Sequence, residues 1–444
     1  MKKLYKDFKE KIDFIDKFLL ILIISIPFLL ATSIFFADLI SSIAGIILIY
    51  IFFKKKNYLF KEIKTEIIFM VVFYLIILTS LLLTEYFKNS FLASFFYFRY
   101  ILLSLSIFYL LKKYDFFITI FSYSLMFTLL VVSIDALIQY FFGSNLFGYD
   151  WPGRGKSIDA FKHITGFFNE EKKLGSYLVR FLPLALAVTF WKSKKKKEYL
   201  AIGIFLLTGI IVFLSSERTA LFLFFIITFA YFPICKNKIK LISSLILVFV
   251  LLFFTHDALK YKYTKFTINQ MHDNHINRLG NNNNNPTLKF YSAEHENLSY
   301  TSIKIFEENF LFGSGVKTFY HECHKLKKNK LKELTPNKRG NTLLCSTHPH
   351  STYLQILSDI GIFGFMLALY LLYCVILVYC KFFIKICKSI EINISYYFVN
   401  LGVLVSIFPL IPSGNIFNNW ISLILFYMLG FWLFLKKKSY FRKR

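Results

Sequence analysis

The sequence predicts an all-α, polytopic membrane protein, with about twelve transmembrane helices and a long, partly helical periplasmic loop before the tenth. Three observations predict it. The chain is 56% hydrophobic and 20% aromatic over 444 residues, with a mean hydropathy of +0.54. Long apolar runs recur along almost its whole length, and a run of ~17 or more residues can cross about 30 Å of hydrocarbon. These runs lack the two-residue alternation of barrel strands, which leaves helices to satisfy the backbone away from water.

The elements follow in order. The first run, Phe18 to Phe36, follows a basic stretch like the apolar core of a signal peptide. It is too long for one, and the next span (38–53) begins almost at once, so it reads as a retained first helix. Spans follow at 66–84, at 91–111 with Arg99 inside it, and at 116–142 with Asp135 and Gln139 one turn apart. The sixth, 174–191, contains Arg180; the next three are 199–214, 219–235 and 239–255, and the last three 351–380, 394–411 and 418–436. The basic stretches "MKKLYKDFKEK", "KKK" at Lys54, "KK" at Lys112, "KSKKKK" at Lys192, "CKNKIK" at Cys235, 381–388 and "KKKSYFRKR" all fall on one side of this layout. By the positive-inside rule that side is cytoplasmic, with both termini on it. The net charge of +27 is then a topology signal, and nucleic acid is not an expected partner.

The chain divides into residues 1–255 with helices 1–9, a large periplasmic loop at 256–350, and 351–444 with helices 10–12 and a basic cytoplasmic tail. The other outer segments are a medium loop (143–173), the short turn "SSER" at 215–218, and "IPSGNIFNN" at 411–419. At about 95 residues, 256–350 is too long for a connector. It carries 14 basic against 8 acidic residues, a balance that favours an anionic ligand or headgroup. "SYTSIKIFEENFLFG" has helical periodicity, and the Asn281 to Asn285 run reads as a biased tip. Cys323 and Cys345 both lie in this loop, and an oxidising compartment would allow a disulfide. A zinc grouping of Cys323, His321 and His324 with Cys345 or His348 has no recognised spacing, so no metal or other cofactor is expected.

Four features point to chemistry. In "STHPHSTYLQILSDIGIFG", His350 is followed at offsets 4, 7, 11 and 14 by Leu354, Leu357, Gly361 and Gly364. Those offsets lie on one helix face, whose glycines would admit a neighbouring helix. Pro349 suits a first helical turn, and an imidazole there is poised near pH 7; a capping histidine is the bland reading. Second, Arg218 in "LSSERTALFLF" sits at an outer turn, where the inside rule calls for no cation, and a guanidinium suits phosphate. Arg278 in "NHINRLG" and Arg154 in the medium loop are weaker candidates of the same kind. Third, "ITGFFNEEKKLGSYLVRFLP" places Asn169, Glu170 and Glu171 where they would cap the sixth span, and Arg180 inside it, where a charge usually faces a cavity or partner. Finally, the G-x-G of "NFLFGSGVKTF" has no preceding strand and reads as a tight turn.

The pieces "GFFNEEKKLGSYL", "SSERTALFLF", "FLFGSGVKTF" and "HPHSTYLQILSDIGIFG", in that order, resemble the O-antigen ligase family, whose conserved region is shared with O-antigen polymerases. The most specific piece is His350-Ser351, then nine residues, then Gly361 and Gly364; "NEEKK" departs from many relatives. The resemblance implies a glycosyltransferase acting on the periplasmic face of the inner membrane. It would transfer a glycan from undecaprenyl diphosphate to lipid A–core, with inversion and without a metal or nucleotide. It assigns Arg218 and Arg278 to the donor diphosphate and His350 to the general base; His348, Arg180, Glu171 and Arg154 are secondary. An O-antigen polymerase is the alternative, although the single large loop ending at His350 favours a ligase. A non-enzymatic flippase or exporter would predict an internal repeat and charge through the bundle, whereas this sequence shows neither.

Overall fold

The computed structural model describes residues 12–55, 58–151, 163–191, 198–255, 260–268, 291–330 and 342–441. Helices α1 (Phe14–Thr32), α2 (Ile34–Lys55), α3 (Lys64–Leu83), α4 (Phe87–Phe95), α5 (Phe98–Lys113) and α6 (Phe117–Phe142) form the first half. Next come α7 (Leu174–Thr189), α8 (Glu198–Leu214), α9 (Arg218–Tyr231) and α10 (Lys238–Thr255). The outer loop contributes α11 (Ala293–Glu308) and α12 (Phe319–Lys330), and the chain finishes with α13 (Thr352–Cys387), α14 (Ile394–Ser406) and α15 (Asn419–Phe441). No strand occurs among the described residues. Among the described residues, seven stretches are long and apolar enough to cross a membrane, and α7, α8, α9 and α14 are shorter apolar helices. A helix overlaps each expected span, but α10 belongs to neither group. The fourth is broken: α4 stops at Phe95 and α5 starts at Phe98. There Arg99 pairs with Asp38 of α2 at 2.9 Å, so this intramembrane charge is a structural tie.

The bundle is organised around two short, almost fully buried spans. In α7 nearly every side chain is buried, and so it is in α14; α7 and α14 pack on each other, and α15 packs on α5 and α14. A helix apolar all round belongs in a core. At 16 and 13 residues, rising about 1.5 Å each, these two fall short of a bilayer. Their ends therefore leave room for a polar recess.

Ion pairs bring the basic segment ends together. Lys112 at the end of α5 meets Glu62 just before α3, Lys113 meets Asp16 in α1, and Lys436 in α15 meets Glu66 in α3. The first and last helices thus meet near the same end of the bundle.

The outer loop forms a small lobe with its own core of Leu298, Ile305, Phe319, Cys323, Leu326 and Leu343. Cys323 and Cys345 are disulfide-linked with Cα atoms 5.4 Å apart, which takes both thiols out of the zinc grouping. Opening this 22-residue closure by Cys323→Ser should cost the lobe about 3 kcal/mol. Limited proteolysis should then cleave α11–α12 much faster while the helical bundle survives.

Two expectations around His350 are corrected. The helix begins at Thr352 with Ser351 as its N-cap, so Pro349 lies before the first turn. The expected glycine stripe is also interrupted, since Gly361 is non-helical at φ 68° and ψ −167°. The physical reason is a loop, not a helix, seated in the break. Ile362 N–H donates to Phe310 O at 3.0 Å, Ser314 N–H to Ser358 O at 2.9 Å, and Gly315 N–H to Asp359 O at 3.0 Å. The G-x-G is indeed a tight turn, with Gly313 at φ 70° and Gly315 at φ 109°.

Candidate active site

A cavity of about 890 Å³ opens where the short helices end. Its wall is built from the start of α7 and the residues before it, the 216–222 turn into α9, Lys262, the start of α11, and the 410–421 segment. Cations dominate the titratable residues of this wall: Lys172, Lys173, Arg180, Arg218 and Lys262 stand against Glu217 and Glu294.

The local sequence explains each placement. Glu217 is the residue before α9, and its carboxylate accepts Gly175 N–H at 2.7 Å and Ser176 N–H at 3.0 Å. It therefore caps α7, the work expected of Asn169, Glu170 and Glu171. The capping acid comes from 42 positions away because Gly175 leaves room: a Cβ there would stand 3.2 Å from Glu217 Oε1. Burial pushes the Glu217 carboxyl up, opposed by these N–H donors and by Arg180. Glu171 instead pairs with Lys173 at an exposed position. Asp135 and Gln139 tie down the medium loop, accepting Leu146 N–H at 3.0 Å and Thr165 N–H at 2.7 Å respectively.

Arg180 is buried, 4% exposed. It donates to Ser176 O at 3.2 Å and lies 5.8 Å from the Trp420 ring, which Lys173 also approaches at 5.9 Å. Arg180 Nε, Trp420 Nε1 and Ser216 Oγ are buried without a hydrogen-bond partner among the described residues, and all three residues line the cavity. Buried polar atoms are normally satisfied; three orphans on one wall are what a polar ligand would complete. Lys262 is pushed down to about 8 by burial and by the nearby Lys172 and Arg218 charges, against Glu217.

The histidines stand at the edge of this cavity. His350 O accepts Ser413 N–H at 2.9 Å, and its ring is 5.9 Å from that of His295; Ser413 and His295 both line the cavity. His348 packs 4.0 Å from His350 and bonds Thr347 Oγ1 at 2.9 Å. Burial pushes His350 below the usual imidazole value, with the Ser413 carbonyl and Glu294 opposing. His348 goes down to about 4, through burial and then His350. Both rings are thus neutral, proton-accepting groups at neutral pH. His350 at φ 53°, Ser216 at φ 51° and Leu410 at φ 65° adopt the left-handed backbone that side chains avoid, strain of the kind concentrated at functional sites.

The structure therefore gathers Arg218, Arg180 and His350, with His348 behind, around one recess. Arg154 and Arg278 lie outside the described residues. Sequence reasoning missed His295, Lys262, Trp420 and Ser413. For His295 the available signal was its place in the first turn after the N-cap Ser292, and nothing local says which face it takes.

Fold and site together define a class: a multi-helix membrane protein with a cation-lined polar chamber sunk into its core and two neutral imidazoles at the rim. Residues 203–369 match the family model described as O-antigen ligase, which supports membership of that family. The matched stretch runs from α8 into α13 and contains Arg218, His295, His348 and His350. Such proteins are glycosyltransferase-like enzymes. No curated protein matches the chain.

Proposed function

We propose that the protein is an O-antigen ligase, moving a glycan from undecaprenyl diphosphate to a sugar hydroxyl of lipid A–core on the periplasmic face of the inner membrane. The observation that carries this reading is the single chamber that joins a neutral histidine to fixed arginines. His350 takes the proton of the acceptor hydroxyl, so that its oxygen attacks the anomeric carbon as the glycan–diphosphate bond breaks. Attack opposite the leaving group inverts that carbon. Arg218 and Arg180 receive the charge that develops on the departing diphosphate, in a site where water is restricted and positive charge is fixed. Arg278 joins them on resemblance alone. The chain's own donors and acceptors supply these steps without a cofactor. Membrane lipid completes the surroundings of the polyprenyl tail.

Deleting the gene tests the reaction. Loss of a ligase leaves lipid A–core without side chain while polymerised glycan accumulates on its carrier. Core bearing a single repeat unit would instead identify a polymerase and overturn the ligase reading. In the purified, correctly inserted protein, Arg218→Ala should lower the transfer rate by about 10²–10³-fold. An unchanged rate would remove Arg218 from the diphosphate site.

A further inference from the structure

We propose that His295 is a direct ligand of the donor diphosphate and takes up a proton from solvent as the lipid-linked donor binds. This rests on the donor reading above and adds to it a residue and a proton that the reading does not contain.

The placement is specific. His295 lies in the first turn of α11, its backbone N–H donating to Oγ of the N-cap Ser292 at 3.5 Å. Its ring lines the chamber shared with Arg218 and Arg180. The 16-residue helix behind it presents its positive end to the same space. The ring stands edge-on to His350, their centroids 5.9 Å apart. His295 lines the recess, and the reading above leaves His350 to the acceptor.

The charges around His295 decide its protonation. On its own helix Glu294 and Glu296 are acidic. From the motif segment come His350 and His348, and from the start of α9, Glu217 and Arg218. The α7 wall adds Lys172, Lys173 and Arg180; Tyr291, just before the N-cap of α11, and Lys262 complete the lining. In the unliganded site burial is the main influence holding His295 below its usual value; His350 and Arg218 add to it and Glu294 opposes. The ring is therefore neutral when the chamber is empty. A diphosphate brings at least two negative charges, and one anion at about 4 Å raises an imidazole's proton affinity by roughly one to two orders of magnitude. The ring then charges, and its N–H donates to a phosphate oxygen. Unlike the arginines, it adds no repulsion to the empty site.

The test is calorimetric titration of undecaprenyl diphosphate into the full-length protein in detergent micelles, in two buffers of different ionisation heat at pH 7.5. Wild type should take up measurably more protons than His295→Arg, which binds nearly as tightly and whose affinity depends less steeply on pH between 6.5 and 8.5, the titration of Lys262 being common to both. His295→Gln, near in size and unable to protonate, should also lose the extra proton and bind roughly tenfold more weakly. Equal proton uptake in wild type and His295→Gln, or unchanged affinity in His295→Gln, would overturn the assignment. If wild type fails to bind undecaprenyl diphosphate at all, the donor reading itself falls and this inference falls with it.

Discussion

Replacing His350 with alanine should lower glycan transfer by about 10²–10⁴-fold, the range for removing a positioned general base, while donor binding survives. The separation follows from the geometry: His350 stands at the chamber's edge, next to His295 and Ser413, whereas the arginines line the recess. The effect should appear in kcat, measured with purified protein and lipid-linked donor; an unchanged kcat would remove the base assignment. The pH profile carries a matching sign. A base works when neutral, and the His350 imidazole is held below its ordinary value by burial. The acid limb of kcat/KM, which reports the free enzyme, should therefore have its midpoint below about 6.5. If His295 charges on donor binding, donor affinity should decline towards alkaline pH, giving kcat/KM a second limb that kcat lacks.

The second large effect is structural. Gly361→Ala should destabilise the protein by about 3 kcal/mol or more, because two costs add. Its φ of 68° lies where side chains are strained, and a new Cβ would overlap the backbone of Leu311 and stand 2.6 Å from Gly313 N. The loop that carries the G-x-G would be expelled from the break in α13. Ser80 Oγ, which donates to Asp359 O at 2.6 Å, would lose its alignment as well. Thermal unfolding in micelles should show a clear drop. Gly203→Ala is the control, since no atom lies within 4 Å of a Cβ there.

That glycine shows what a sequence conceals. Offsets of 4, 7, 11 and 14 are the arithmetic of a straight helix, and they stay the same when one residue leaves the helix to admit a loop. Arg218 and Arg180 were legible for a different reason: charge is costly in an apolar setting, so each announces a cavity. Even that logic has a limit, since Arg99 met the same criterion and is paired with Asp38 across the helices. The fold class was legible because hydrocarbon admits so few backbone solutions. The capping of α7 was not, because the acid that does it is remote in sequence and the three local candidates look just as suitable. His295 escaped for want of any local energetic signature: on an amphipathic outer helix, a histidine is unremarkable until its neighbours in space are known.

The grip of Glu217 on the start of α7 has one more consequence. The carboxylate is followed directly by Arg218, and the N–H groups it holds lie a little over one turn before Arg180. The two guanidiniums are thus mounted on a single rigid bracket, and their spacing exists before any substrate arrives. The chamber works as a caliper set in advance: an anion of the right span enters at little entropic cost, and a shorter one cannot draw the jaws together.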